Sequence, residues 1–93
     1  MITSWRDKRT EQLFKLATPK GFPANLVRVA KRRLDALHAT ETLAQMGAIP
    51  GNDLHQLHGD RSGQHAIRIN QQWCVCFVWA DGHAWDVEIT DYH

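Results

Sequence analysis

An α+β domain, with a helix hairpin packed on one face of a twisted antiparallel sheet, is the fold this 93-residue chain predicts. The first observation behind it is a change of hydrophobic period. Apolar residues recur at helical spacing before about Asn52 and alternate after it. The second is a matching split in charge. Residues 1–47 carry nine Lys/Arg against four Asp/Glu, a net of +5, whereas residues 48–93 carry two against six, a net of −4. The third is size: residues 1–93 form one domain, and 43% hydrophobic content with four tryptophans fills a single core between two layers.

Each element follows in order. Ile2-Thr3-Ser4-Trp5 reads as a short strand. Asp7 to Ala17 reads as a helix, with Leu13, Leu16 and Ala17 at helical spacing and Asp7 placed to favour its amino end. Thr18-Pro19-Lys20-Gly21-Phe22-Pro23 breaks it. From Pro23 or Ala24 to about His38, the stripe Leu26, Val27, Ala30, Leu34 and Leu37 predicts a second helix, with Arg28, Lys31, Arg32 and Asp35 mostly off the stripe. Thr40 to Met46 adds a helical turn, and residues 47–52 form a loop.

Three strands then make a meander: His65 to Asn70, Trp73 to Trp79 and Trp85 to Ile89, with Leu54 to Leu57 a candidate fourth. Turn residues separate them at Asn70-Gln71-Gln72 and at Asp81-Gly82. Alternation puts Ile67, Ile69, Trp73, Val75, Phe77, Trp79, Trp85, Val87 and Ile89 against the helices. It leaves Arg68, Cys74, Cys76, Asp86 and Glu88 on the other face, toward solvent or a substrate.

Several function classes fall away. No apolar run approaches the roughly 20 residues that span a bilayer. No secretory signal precedes Arg6 and Asp7, so the expected location is the cytoplasm. Cys74 and Cys76 are too close on one strand for an ordinary disulfide, which fits a reducing compartment. Gly59-Asp60-Arg61-Ser62-Gly63 is turn chemistry without a phosphate-cradle pattern, and no cofactor is expected. His55, His58, Cys74 and Cys76 are the residues a zinc site would draw on, but their spacing matches no metal motif, and cysteines on a strand more often pack.

The chemistry concentrates at Asp91-Tyr92-His93, a carboxylate, a phenol and an imidazole in succession. Such a triplet is otherwise a frayed tail, but the strand ending at Ile89 leads directly into it. The imidazole-rich stretch from Leu54 to Arg61 could meet that end across the sheet. Acid and base together suggest proton transfer on a large substrate.

Leu57-His58-Gly59-Asp60-Arg61-Ser62-Gly63-Gln64-His65-Ala66-Ile67-Arg68-Ile69-Asn70, then Trp73, then the terminal Asp91-Tyr92-His93, resembles the HigB-type killer toxins of bacterial toxin–antitoxin modules, within the RelE/ParE superfamily. The resemblance spans essentially the whole chain and implies the helix-hairpin-on-sheet fold. It also implies a ribosome-dependent endoribonuclease (an mRNA interferase) that cleaves message in the A site of the 70S ribosome. Its partner would be a HigA-like helix-turn-helix antitoxin, and the toxin alone would not bind DNA. By resemblance His55 and His93 would be the acid/base groups for attack by the RNA 2′-hydroxyl. Asp91 would orient an imidazole, and Tyr92 would stack on a base or assist proton transfer. His58, Arg61, Arg68 and the basic helix face would meet RNA phosphates.

Two positions depart from the family pattern. Cys74 stands where an arginine normally follows the tryptophan, and His58 stands where many relatives have lysine. A fixed cation at a reacting phosphate is worth about 100- to 1000-fold in rate, so a weakened toxin is expected. The rival class is a non-enzymatic ParE-like toxin that poisons DNA gyrase by protein contact.

Overall fold

A computed structural model describes residues 1–16 and 21–91, without the side chain of Leu16. Helix α1 spans Lys8–Leu16, α2 Ala24–Ala39 and α3 Leu43–Ala48. Four strands follow, β1 His55–Gln56, β2 Gln64–Arg68, β3 Cys74–Ala80 and β4 His83–Thr90, with a 3-10 turn at Gly59–Arg61 between β1 and β2. The strands form one antiparallel meander in the order β1-β2-β3-β4. The expected α+β layering is therefore present, and the candidate fourth strand is real as a two-residue edge, His55–Gln56.

Local chemistry starts each helix. Asp7 Oδ1 accepts the backbone N–H of Thr10 at 3.0 Å, supplying an orphan donor of α1 with a partner. Pro23 precedes α2 with its φ of −58° already fixed. Thr42 and Gln45 form a reciprocal capping box on α3. The α2 stripe Leu26, Ala30, Leu34 and Leu37 is buried in one core with Ile67, Val75, Phe77, Val87 and Ile89 of the sheet layer. Each fully buried aliphatic side chain of this set contributes about 1.5–3 kcal/mol. Thr10, also fully buried, accepts the Ile89 N–H through Oγ1 at 3.0 Å and so ties α1 to β4.

Residues 1–6 lie along the outer edge of β4. Ile2 bridges Ala84 and Trp5 bridges Val87 in parallel, with Thr3 N donating to Ala84 O at 2.8 Å and Val87 N to Ser4 O at 3.1 Å. The expected amino-terminal extended segment thus covers an edge that would otherwise be open to pairing.

One expectation fails at β4. Alternation places Trp85 with Val87 and Ile89, but Cys76 pairs with Glu88 while Val78 pairs with Trp85. Two residues of β4, Asp86 and Val87, thus oppose Phe77 alone, which is a β-bulge. Asp86 takes a left-handed φ of 53° there, and its N–H is received by Ser4 Oγ at 2.8 Å. The bulge switches the faces of the residues before it: Ala84 enters the core and Trp85 the open face, while Val87 and Ile89 stay in the core and Glu88 on the open face as alternation places them. Asp86 and Glu88 consequently do not act as a same-face carboxylate pair. Asp86 turns to Ser4 and Glu88 to arginines.

Candidate active site on the open sheet face

Register lays out the open face in three rows. Arg68, Cys74 and Thr90 form the first, His55, Ala66, Cys76 and Glu88 the second, and Gln64, Val78 and Trp85 the third. Leu57 joins the third row through its N–H, which donates to Gln64 O at 2.9 Å. Strand spacing puts the His55 and Glu88 backbones about 14 Å apart across three intervals.

His55 projects from the short edge strand. Its Nδ1 lies 2.8 Å from the Asp53 carbonyl oxygen. A carbonyl only accepts, so this bond requires the proton on Nδ1 and leaves Nε2 as the basic nitrogen. Asp53 also pairs through Oδ2 with Arg68 Nη2 at 3.1 Å. Arg68 is thus on the open face as expected, with its guanidinium already directed at a carboxylate. At the opposite end of the first row, Asp91 follows Thr90 and accepts Gln72 Nε2 at 3.1 Å through Oδ2. Tyr92 and His93 lie outside the described residues.

The middle of the face is not the exposed polar surface expected for Cys74 and Cys76. Both residues are buried, with 4% and 1% exposure, in a small cluster with Leu57 and Ala66. Arg61 crosses this part of the face. Its side chain reaches from the 3-10 turn across β3, placing Nη1 3.1 Å from Gln64 Oε1 and 3.0 Å from Glu88 Oε1. The Gln64 interaction is a hydrogen bond, whereas the Glu88 interaction is an ion pair without hydrogen-bond alignment. Arg6, from the amino-terminal edge, brings Nε to 3.7 Å from Glu88 Oε2.

The two sulfurs stand 3.9 Å apart, and Cys74 Sγ also donates to Thr90 O at 3.5 Å. Hydrogen bonding to Cys76, then burial, pushes the Cys74 thiol far above its ordinary range, so it stays neutral. The bond with Cys74 holds Cys76 lower, helped by the nearby Arg61 and Arg6 charges, so Cys76 would ionise first of the pair. No cluster of three or more His, Cys, Asp or Glu suited to a metal occurs among the described residues. Arg61 and His58 instead line a hollow of about 300 Å³ with Leu57 and Asp60. His58 is exposed at its rim.

Alternation places Arg68 and Cys74 on the open face, where the register also has them. Sequence reasoning misses Arg6 and the task of Glu88. Alternation from Trp5 is the available signal for Arg6, but the parallel pairing of residues 1–6 with β4 is a tertiary choice that alternation does not specify.

Known proteins share both this sequence pattern and this fold. The family model described as "RelE-like toxin of type II toxin-antitoxin system HigB" matches residues 3–93. The chain belongs to the HigB toxin family. The curated "Endoribonuclease HigB" of Proteus vulgaris is 33% identical over 95 residues, covering 100% of both chains. "Toxin HigB-1" of Vibrio cholerae is 29% identical over 85 residues, covering 90% of each. Among solved structures, YafQ from E. coli superposes with a TM-score of 0.56 at 13% identity, covering 99% of this chain and 94% of that one. A mutant toxin from Helicobacter pylori does so at 0.57 and 15% identity, covering 99% and 96%. These structural likenesses establish the RelE-like fold of this HigB-family toxin. Among its described residues, no helix is long and apolar enough to cross a membrane.

Proposed function

We propose that this toxin is a ribosome-dependent endoribonuclease that cleaves translated messenger RNA on the open sheet face. The observation that carries the reading is His55, whose Nδ1 is tied to the Asp53 carbonyl and whose row continues to the Arg61–Glu88–Arg6 charges. Whole-length similarity to a protein named as an endoribonuclease supports it.

Cleavage by the RNA's own 2′-hydroxyl needs a base for that proton, an acid for the departing 5′-oxygen, and cations for the charge gathering on the phosphorus centre. In this reading His55 Nε2 and His93 share the proton transfers, Asp91 orients an imidazole, and Tyr92 stacks on a base or assists. Arg61, Arg68 and His58 meet phosphates. As the base takes the 2′ proton, the 2′-oxygen bonds to phosphorus and the bond to the 5′-oxygen breaks. The acid protonates that oxygen, leaving a 2′,3′-cyclic phosphate and a 5′-hydroxyl. No cofactor enters this scheme. The partner in this reading is a HigA-like helix-turn-helix antitoxin, and the site of action is the translating cytoplasm.

Cys74 places a neutral, buried thiol where the family pattern has a cation, and the proposal includes a weakened rate. Mapping 5′ ends on a translated message tests the assignment. Breaks positioned by codon support it. Intact message together with DNA double-strand breaks would replace it with gyrase poisoning.

A further inference from the structure

We propose that Arg6 and Arg61, clamped from opposite sides by the Glu88 carboxylate over a buried floor of Cys74, Cys76 and Ala66, form a phosphodiester seat that supplies the positive charge absent from position 74. The inference rests on the nuclease reading for its biological substrate, an RNA phosphate, but the seat itself is a binding site. Three observations carry it.

The first is convergence. Arg61 arrives from the turn between β1 and β2, and Arg6 from the segment beyond β4, yet both end on one carboxylate, at 3.0 Å and 3.7 Å. Glu88 stands on the open face directly beside Cys76. The second is charge. Two guanidinium groups share one carboxylate, so Glu88 offsets only one of their two positive charges. Arg68, by contrast, is paired with Asp53. Glu88 thus acts as a positioning residue: it holds two long side chains that would otherwise repel each other and wander.

The third is unused donor capacity. A guanidinium carries five N–H groups, and the Arg61 interactions with Gln64 and Glu88 involve Nη1 alone. Among the described residues its remaining donors meet no protein acceptor. Arg6 is half exposed, so its other donors are likewise open to an incoming anion. The floor favours an anion as well. Cys74, Cys76, Leu57 and Ala66 are buried together beneath the seat, and charges attract more strongly where water is excluded.

The probe is a fluorescently labelled single-stranded oligoribonucleotide, fully 2′-O-methylated so that it cannot be cleaved, binding to the full chain. Parallel assays follow cleavage of a translated message. Arg6→Gln should weaken probe binding about 10- to 100-fold, on the scale of one charge-assisted hydrogen bond. It should also lower the dependence of log affinity on log salt by about 0.7 for each phosphate no longer neutralised. A double variant, Arg6→Gln with Cys74→Arg, should recover much of the affinity, because a guanidinium from position 74 rises into the same seat. Arg6→Lys should fall between the parent and Arg6→Gln.

Arg6 is exposed enough that its replacement should leave the thermal unfolding midpoint unchanged, which separates a binding role from a structural one. The seat is overturned when Arg6→Gln binds the probe like the parent with an unchanged salt slope, when Cys74→Arg rescues nothing, or when the parent does not bind. Message cleavage by the parent alongside an inert Arg6 would discard the seat and keep the nuclease. Arg6-dependent binding without message cleavage would keep the seat and discard the nuclease.

Discussion

Single residues decide both the stability and the chemistry of this toxin. Thr10 shows the first. Its hydroxyl is the acceptor for the Ile89 N–H in a fully buried setting. Thr10→Val keeps the shape but strands that donor, and should cost about 1–3 kcal/mol. Thr10→Ser, which retains the hydroxyl, should cost less. Urea midpoints at constant slope compare them, and equal destabilisation would show that the hydrogen bond contributes nothing. His65 shows how one ring sets pH dependence. It stacks on Phe77 at 5.9 Å, and burial lowers its pKa from the usual histidine value. The unfolded chain therefore takes up the proton first as pH falls. Stability is intact above the ordinary histidine pKa of about 6.5 and erodes as pH drops through it toward the lower folded value. His65→Phe should flatten that decline in melting curves between about pH 7.5 and 5.5. A parent and a variant with the same pH slope would contradict the assignment.

At the scale of elements, the periodic parts were legible in the sequence and the exception was not. The α2 stripe and the Val75/Phe77 face show because burial on one side imposes a period, and both are fully buried in the core. Trp85 is misplaced by alternation because a bulge adds one residue, and alternation gives no notice of the insertion. The left-handed Asp86 is the local mark of that insertion, since aspartate accepts this conformation better than most residues. Asp86→Gly should therefore stay within about 1 kcal/mol of the parent, trading relief of the backbone against the Ser4 interaction. Asp86→Val should destabilise by about 1–3 kcal/mol, because a branched side chain is poorly tolerated there. Differential scanning calorimetry checks the pair, and equal stability of the two variants would argue against a strained bulge. The candidate site was legible in the same uneven way. Arg68 and Cys74 share the open face as alternation predicts, but alternation shows neither that Cys74 and Cys76 are buried there nor that Arg61 crosses a strand to Glu88. An ion pair between residues so distant along the chain leaves no periodic trace.

Across the whole molecule, the helices cover one sheet face and leave the other uncovered by helix. The basic surface of α2, where Arg28, Lys31 and Arg32 line a hollow of about 440 Å³ with Asp35, belongs to the helical layer and not to the open sheet face. Two cationic regions are therefore distinct, one on the helix layer and one at the Arg6–Glu88–Arg61 seat. The latter shares its row with His55, and His55 is the pivot of the proposed reaction. The decisive measurement is the chemistry of the cut ends on a translated message, comparing the parent with His55→Gln. The proposed reaction predicts 2′,3′-cyclic phosphate and 5′-hydroxyl ends from the parent, and a rate lowered about 100- to 10,000-fold by the substitution. Cleavage by His55→Gln at the parental rate, or parental ends bearing a 5′-phosphate, would contradict it.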